Sequence, residues 1–151
     1  MKSLDFLKSK GTPFKTIELA EEPKSAQDVE RLYGCPLKQV LKTLVFIGEA
    51  WPVLAVIPGD KRVDVEKLKE AAGQRYLRMA SAQEVQQATG YPVGGVTPLG
   101  VEGKAIKVLD PQALTGDKVN IGSGKAEIGI ELKSADLKKV WEGKIASITR
   151  T

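Results

Sequence analysis

Histidine is absent from this 151-residue chain, and cysteine occurs once, at Cys35. These two absences exclude a Ser-His-Asp or Cys-His catalytic arrangement, a histidine-ligated zinc site, a disulfide framework and a Cys-x-x-Cys redox pair. Cys35 itself, in "YGCPL", reads as a small buried residue, because no histidine exists to activate it as a nucleophile. Long apolar runs are missing too. The start "MKSLDFLKSKG" carries charges at Lys2, Asp5, Lys8 and Lys10, so it lacks the core of a signal peptide, and no later stretch reaches transmembrane length. A cytoplasmic protein with no membrane partner is expected. Neither a G-x-G-x-x-G nor a G-x-x-x-x-G-K-[ST] fingerprint occurs, so no nucleotide cofactor is called for, and no metal set can be assembled. There is no block of like charge. A formal charge of +4 from 23 basic and 19 acidic residues tolerates a polyanion without establishing nucleic-acid binding, and nothing points to DNA.

With 42% hydrophobic and 28% charged residues and no linker or low-complexity segment, the chain reads as one folded domain spanning 1–151. Three helix starts use nearly the same phrase: "SAQDVERLYG" from Ser25, "SAQEVQQATG" from Ser81 and "SADLKKVWEG" from Ser134. Each offers a serine to cap and an acid in the first turn, with a glycine to follow. Two shorter helices are expected at 3–10 and 64–72. Runs with strand character lie at 14–19, 40–48, 51–58, 75–79, 105–110, 118–122, 127–132 and 144–149. Those at 40–48 and 51–58, separated by "EA", form an expected hairpin. Helices and strands mix without a regular βα repeat. The expected class is therefore α+β, a single domain in which short α-helices surround a mixed, largely antiparallel, barrel-like sheet.

Three features could carry chemistry. Lys42 stands in "QVLKTLVFIG", where alternation puts it on one face with Val40, Leu44 and Phe46 and leaves Leu41, Val45 and Ile47 on the other. It is either a strand-end lysine whose ammonium reaches water, or an ammonium held at a cavity mouth to grip a phosphate or a polarised carbonyl. Thr43 points the opposite way in an ideal strand and shares a site with Lys42 only if the strand ends or twists there. The second feature is "GYPVGGVTPLG" at 90–100, too rich in glycine and proline for a plain strand or helix. It is either a connection after a helix C-cap or a loop whose bare amides at Gly94 and Gly95 approach a ligand, with Pro98 stiffening the exit. "IGSGK" at 121–125 has the same two readings, with Ser123 a donor to substrate or a turn serine. Asp60, Asp64, Asp110, Asp117 and Asp136 sit at turns or caps, so no general base is assigned.

"QVLKTLVF", "ATGYPVGGVTPLG", "IGSGK" and "IELKSADLKKV", in this order and separation, resemble the YbaK-like family, related to the editing (insertion) domain of bacterial prolyl-tRNA synthetase. The resemblance runs from about Phe14 to the C-terminus. It implies that fold, and a free-standing trans-editing deacylase that hydrolyses the ester of a mischarged tRNA, usually a prolyl tRNA carrying a small non-cognate amino acid. The implied partners are the 3′ acceptor end of aminoacyl-tRNA and prolyl-tRNA synthetase. On this resemblance Lys42 and Gly95 are catalytic, while Thr43, Gly94, Val96, Pro98, Gly122, Ser123 and Gly124 bind substrate. Cysteine-specific members carry a tyrosine, a serine and an aspartate where this chain has Leu19, Gly122 and Gly129, which disfavours cysteine as the amino acid removed. The alternative is a non-catalytic module of the same fold that docks tRNA or a synthetase. If Gly95 presents a catalytic amide, Gly95→Val is expected to cost activity far more than stability.

Overall fold

The computed structural model describes residues 1–101 and 103–151. Local capping sets most helix ends. In α2 (Ala26–Tyr33) the Ser25 hydroxyl accepts from Asp28 N–H, and Gly34 closes the helix in the left-handed region. In α3 (Val65–Ala72) the Asp64 carboxylate accepts from Glu66 and Lys67 N–H, with Gly73 at the far end. In α4 (Ala82–Thr89) Ser81 and Glu84 form a reciprocal capping box, and Arg78 makes a bidentate ion pair with Glu84. These bonds, with the Ser81 amide, hold the Glu84 carboxyl down to about 2. α1 spans Lys2–Ser9.

The third serine behaves differently. α5 (Ser134–Val140) begins directly after β7 (Ile128–Lys133), so Lys133 occupies the cap position and Ser134 is the first helical residue. Its hydroxyl is buried without a partner among the described residues.

The strands form two sheets. β1 (Lys15–Glu18), β7 and β6 (Lys118–Gly122) make an antiparallel three-stranded sheet in the order β1-β7-β6. The second has the order β4-β2-β3-β5-β8 and comprises β2 (Leu41–Ile47), β3 (Val53–Pro58), β4 (Arg78–Met79), β5 (Ile106–Leu109) and β8 (Lys144–Ile145). β2 pairs antiparallel with β3 and β4, while β5 runs parallel to both β3 and β8. The expected hairpin forms, but residues 48–52 all belong to its connection. Gln74 Oε1 reaches across to accept from Glu49 and Ala50 N–H, which no local motif announces.

The barrel expected from the sequence does not close. A parallel bridge between Val40 and Asn120 joins the sheets, and beyond it they part. The 93–98 loop occupies the gap: Val96 O lies 2.7 Å from where a Cβ on Gly122 would stand.

β3 is buried along its whole length, as befits a strand covered on both faces. One face joins Leu41, Ile121 and Ile130 in the core between the sheets, capped by Leu7 and Leu137 of α1 and α5. The other packs Ile57 and Ala55 with Phe46 and α3's Leu68. Asp110, fully buried, ties the end of β5 to the C-terminal segment. One carboxylate oxygen accepts from Gln112 N–H at 2.8 Å, and the other from Ile148 and Thr149 N–H at 2.9 and 3.1 Å. β2 is thus held in a rigid sheet, and its N-terminal end lies at the seam. Among the described residues no helix is long and apolar enough to cross a membrane.

Candidate active site

Where the sheets part there is a cleft of about 370 Å³. Its floor comes from the start of β2, with Lys42 and Thr43 both lining it, and from Gly122 at the end of β6. Both β2 residues line it although they are paired in register with β3, Lys42 opposite Ile57 and Thr43 opposite Val56. Gly94, Gly95 and Val96 bring the glycine loop to the same cleft, and Lys125 adds a second cation. The opposite wall is apolar: Pro23, Ala26, Val29 and Tyr33 on and before α2, then Leu37 and Ile128.

Lys42 is half-buried and makes no hydrogen bond or ion pair among the described residues. Its pKa is pushed below the ordinary lysine value, first by burial and then by the nearby positive charge of Arg62, with Asp60 partly offsetting both. Folding thus holds an ammonium where it is poorly solvated, and an anion or a polarised oxygen in the cleft would relieve that penalty.

The two glycines of the loop differ. Gly95 is buried, and its N–H already donates to Pro92 O at 2.9 Å. A Cβ there would stand 2.7 Å from Gly124 O, so glycine is required for two loop backbones to touch. Gly94 is exposed, and its N–H has no acceptor among the described residues. A Cβ on Gly94 would meet only the flexible end of Glu22 closely, at 2.8 Å. Of the two glycines, it is Gly94 whose N–H is uncommitted among the described residues.

Three expected site residues lie outside the cleft lining. Pro98 is buried. Ser123 is fully buried; its hydroxyl donates to Ile128 O at 2.6 Å and accepts from Lys125 N–H, so it fastens the 123–128 turn. Gly124, at φ +111°, faces the Tyr91 ring at a distance that leaves no room for a Cβ. Ser123 and Gly124 thus shape the turn that carries Lys125. Cys35 is half-buried rather than buried; its thiol donates to Asn120 Oδ1 at 3.6 Å, and burial raises its pKa. Among the described residues no group of three or more Cys, Asp and Glu could hold a metal.

The sequence reading missed Tyr33, Val29 and Lys125. Ala26, Val29 and Tyr33 fall at helical spacing on one face of α2, a signal present in "SAQDVERLYG" but read there only for its cap.

The fold and cleft define a pocket with a cationic, amide-lined end and an apolar wall, suited to a small acyl group carried on an anionic, hydrogen-bonding partner. The chain belongs to the aminoacyl-tRNA editing domain family, whose model matches residues 20–140. It is 32% identical over 140 residues to EbsC of Enterococcus faecalis, named as a proposed Cys-tRNA(Pro)/Cys-tRNA(Cys) deacylase, covering 91% of this chain and 85% of that one. A 95-residue segment is 35% identical to the proline–tRNA ligase of Fervidobacterium nodosum, covering 63% of this chain and 16% of that longer enzyme. A crystal structure described as a proposed trans-editing enzyme for prolyl-tRNA synthetase superposes with a TM-score of 0.89 at 26% identity, covering 99% of this chain and 96% of that one.

Proposed function

We propose that residues 1–151 act as one free-standing editing domain that hydrolyses the ester of a mischarged tRNA, most simply a prolyl tRNA bearing a small non-cognate amino acid. The observation behind it is that Lys42, unpaired among the described residues, lines the same cleft as Gly94, whose N–H has no acceptor among them. Lys42 holds the terminal nucleotide and orients the ester. The Gly94 amide donates to the carbonyl oxygen as it becomes an oxyanion, a contribution of roughly 2.7 to 4 kcal/mol for a well-aimed donor. Water adds to the carbonyl carbon, the ester C–O bond breaks, the ribose oxygen leaves as a hydroxyl with one of the water's protons, and the amino acid departs as a carboxylate, the other proton passing to solvent. No side-chain general base is required of an ester this activated, and none is assigned. The side chain lies against the α2 wall. An apolar pocket separates ligands differing by a methylene by only about 1 to 3 kcal/mol, so a synthetase needs such a second sieve. The acceptor end of aminoacyl-tRNA is the substrate, prolyl-tRNA synthetase the functional partner, and the cytoplasm the place where both are met.

EbsC is named for cysteine, yet Gly122 and Gly129 offer no side chain to a thiol, which supports alanine, serine or threonine instead. The test is a panel of prolyl tRNAs carrying alanine, serine, threonine and cysteine, incubated with the wild type and with Lys42→Ala. Hydrolysis of at least one by the wild type and its loss in the variant are expected. Absence of turnover, with salt-dependent tRNA affinity unchanged by Lys42→Ala, would identify a binding module instead.

A further inference from the structure

α2 is unusual in having no buried residue: its apolar face looks into the cleft rather than into a core. At its last turn, Tyr33 leans on bare backbone. A Cβ on Gly129 would stand 2.5 Å from both Cε1 and Oη of Tyr33, so the ring lies on that strand only because the strand has glycine there. Gly129 pairs across the sheet with Gly122, itself covered by Val96 O, and the two bare positions form a flat bed between loop and helix. Tyr33 is half-buried, lines the cleft, and its hydroxyl makes no hydrogen bond among the described residues. Burial raises its pKa, so the phenol is neutral. Gly34, at φ +68°, ends the helix immediately behind it and fixes where the ring enters.

We propose that the Tyr33 ring is the end wall of the aminoacyl pocket and sets its size limit, admitting side chains as small as those of alanine, serine and threonine and refusing longer ones such as that of leucine. This rests on reading the cleft as the aminoacyl site. Lys42 and Gly94 hold the ester, and the distance from them to the ring sets how large a side chain fits between. The limit is steric, so it belongs to the ring and not to the hydroxyl.

The experiment measures Kd for adenosine bearing an alanyl, valyl or leucyl group through a 3′-amide, which the protein cannot hydrolyse as it would an ester. The wild type should bind the alanyl compound at least about tenfold more tightly than the leucyl one, the scale on which apolar pockets discriminate. Tyr33→Phe should keep that ratio. Tyr33→Leu and Tyr33→Met, two ringless variants that retain apolar packing and whose folding is checked by thermal melting, should bring it close to one. A wild type that binds none of the compounds or does not discriminate, or ringless variants that keep the ratio, would overturn the proposal. Because the amide needs no turnover, absence of deacylase activity would refute the proposed reaction and leave this measurement standing. Turnover with an unchanged ratio would refute Tyr33 alone.

Discussion

Substituting Gly94 and Gly95 one at a time by alanine separates packing from presentation. At Gly95 the new methyl would lie 2.7 Å from Gly124 O, 2.8 Å from Gly124 C and 3.0 Å from Lys125 N, all backbone atoms of a tight turn. No side chain can swing aside, so the two loops must separate. Overpacking of this kind costs about 1 to 3 kcal/mol. For a chain of this size each kcal/mol moves the melting temperature by roughly 2 to 4 °C, so Gly95→Ala should melt about 2 to 12 °C below wild type. At Gly94 the methyl meets Glu22 Oε1 at 2.8 Å and Ala126 Cβ at 3.5 Å. The carboxylate can rotate into solvent, and Gly94 has no positive φ to strain, so stability should stay within about 0.5 kcal/mol. The Gly94 methyl does crowd the cleft beside the free N–H, so deacylation should fall in a protein of unaltered stability. Melting by circular dichroism, with single-turnover deacylation well below the melting point, reads both effects. An unchanged melting temperature for Gly95→Ala, or a Gly94→Ala protein as unstable as Gly95→Ala, would refute the reasoning. For Gly95→Val, expected to cost activity far more than stability, the close approach to Gly124 adds a stability cost that the same melts read.

Four other outcomes follow from the same geometry. Lys42→Met should abolish deacylation yet leave the melting temperature at or above wild type near neutral pH, because folding penalises this ammonium; marked destabilisation would make Lys42 structural. The same depressed pKa sets a pH dependence: deacylation, corrected for spontaneous hydrolysis, should fall on the alkaline side below the ordinary lysine value of 10.5. Since the charged form is the one that folding disfavours, wild-type stability relative to Lys42→Met should rise as pH climbs through the folded pKa toward 10.5, which urea melts across that range would show. Asp110→Ala strands three N–H groups, those of Gln112, Ile148 and Thr149, and should cost about 3 kcal/mol or more in denaturant melts, with little effect on the affinity of the amide analogues for whatever protein remains folded.

Helix ends were legible because their causes are local. Ser81, Glu84 and Gly90 carry the whole instruction for α4 within one phrase, and the structure places each where that instruction says. Ser134 has the same phrase but follows a strand without a break, so the chain enters the helix one residue early and the serine has no N–H to cap. The hairpin connection was misjudged because Gln74, distant in sequence, satisfies its amides. Lys42 could be picked out because a charge in an apolar strand is anomalous wherever the strand goes. The division of labour between Gly94 and Gly95 could not: two adjacent glycines look alike until a 3-10 turn commits one N–H to Pro92. Tyr33 was hidden for a related reason, since its position depends on a glycine in a strand near the other end of the chain.

A site without histidine has to obtain precision from backbone, and backbone is precise only where it is packed against something equally fixed. The cleft meets that condition from two directions. On one side, Lys42 and Thr43 lie near the start of a strand whose neighbour, β3, is buried from end to end, so the ammonium is carried on a well-packed sheet. On the other, the glycine loop is stacked on the 122–125 turn through Gly95 against Gly124 and Val96 against Gly122, contacts possible only without side chains. Opening the barrel at the seam creates the space, and glycines at the seam bring the amide within reach of it. The third side, α2, is held by few core contacts and shaped by Tyr33 on Gly129, so it can vary the pocket's size without disturbing the other two. On the proposed reading, substitution at Tyr33 and Gly129 should therefore change selectivity for the amino acid while Lys42 and Gly94 keep the same chemistry.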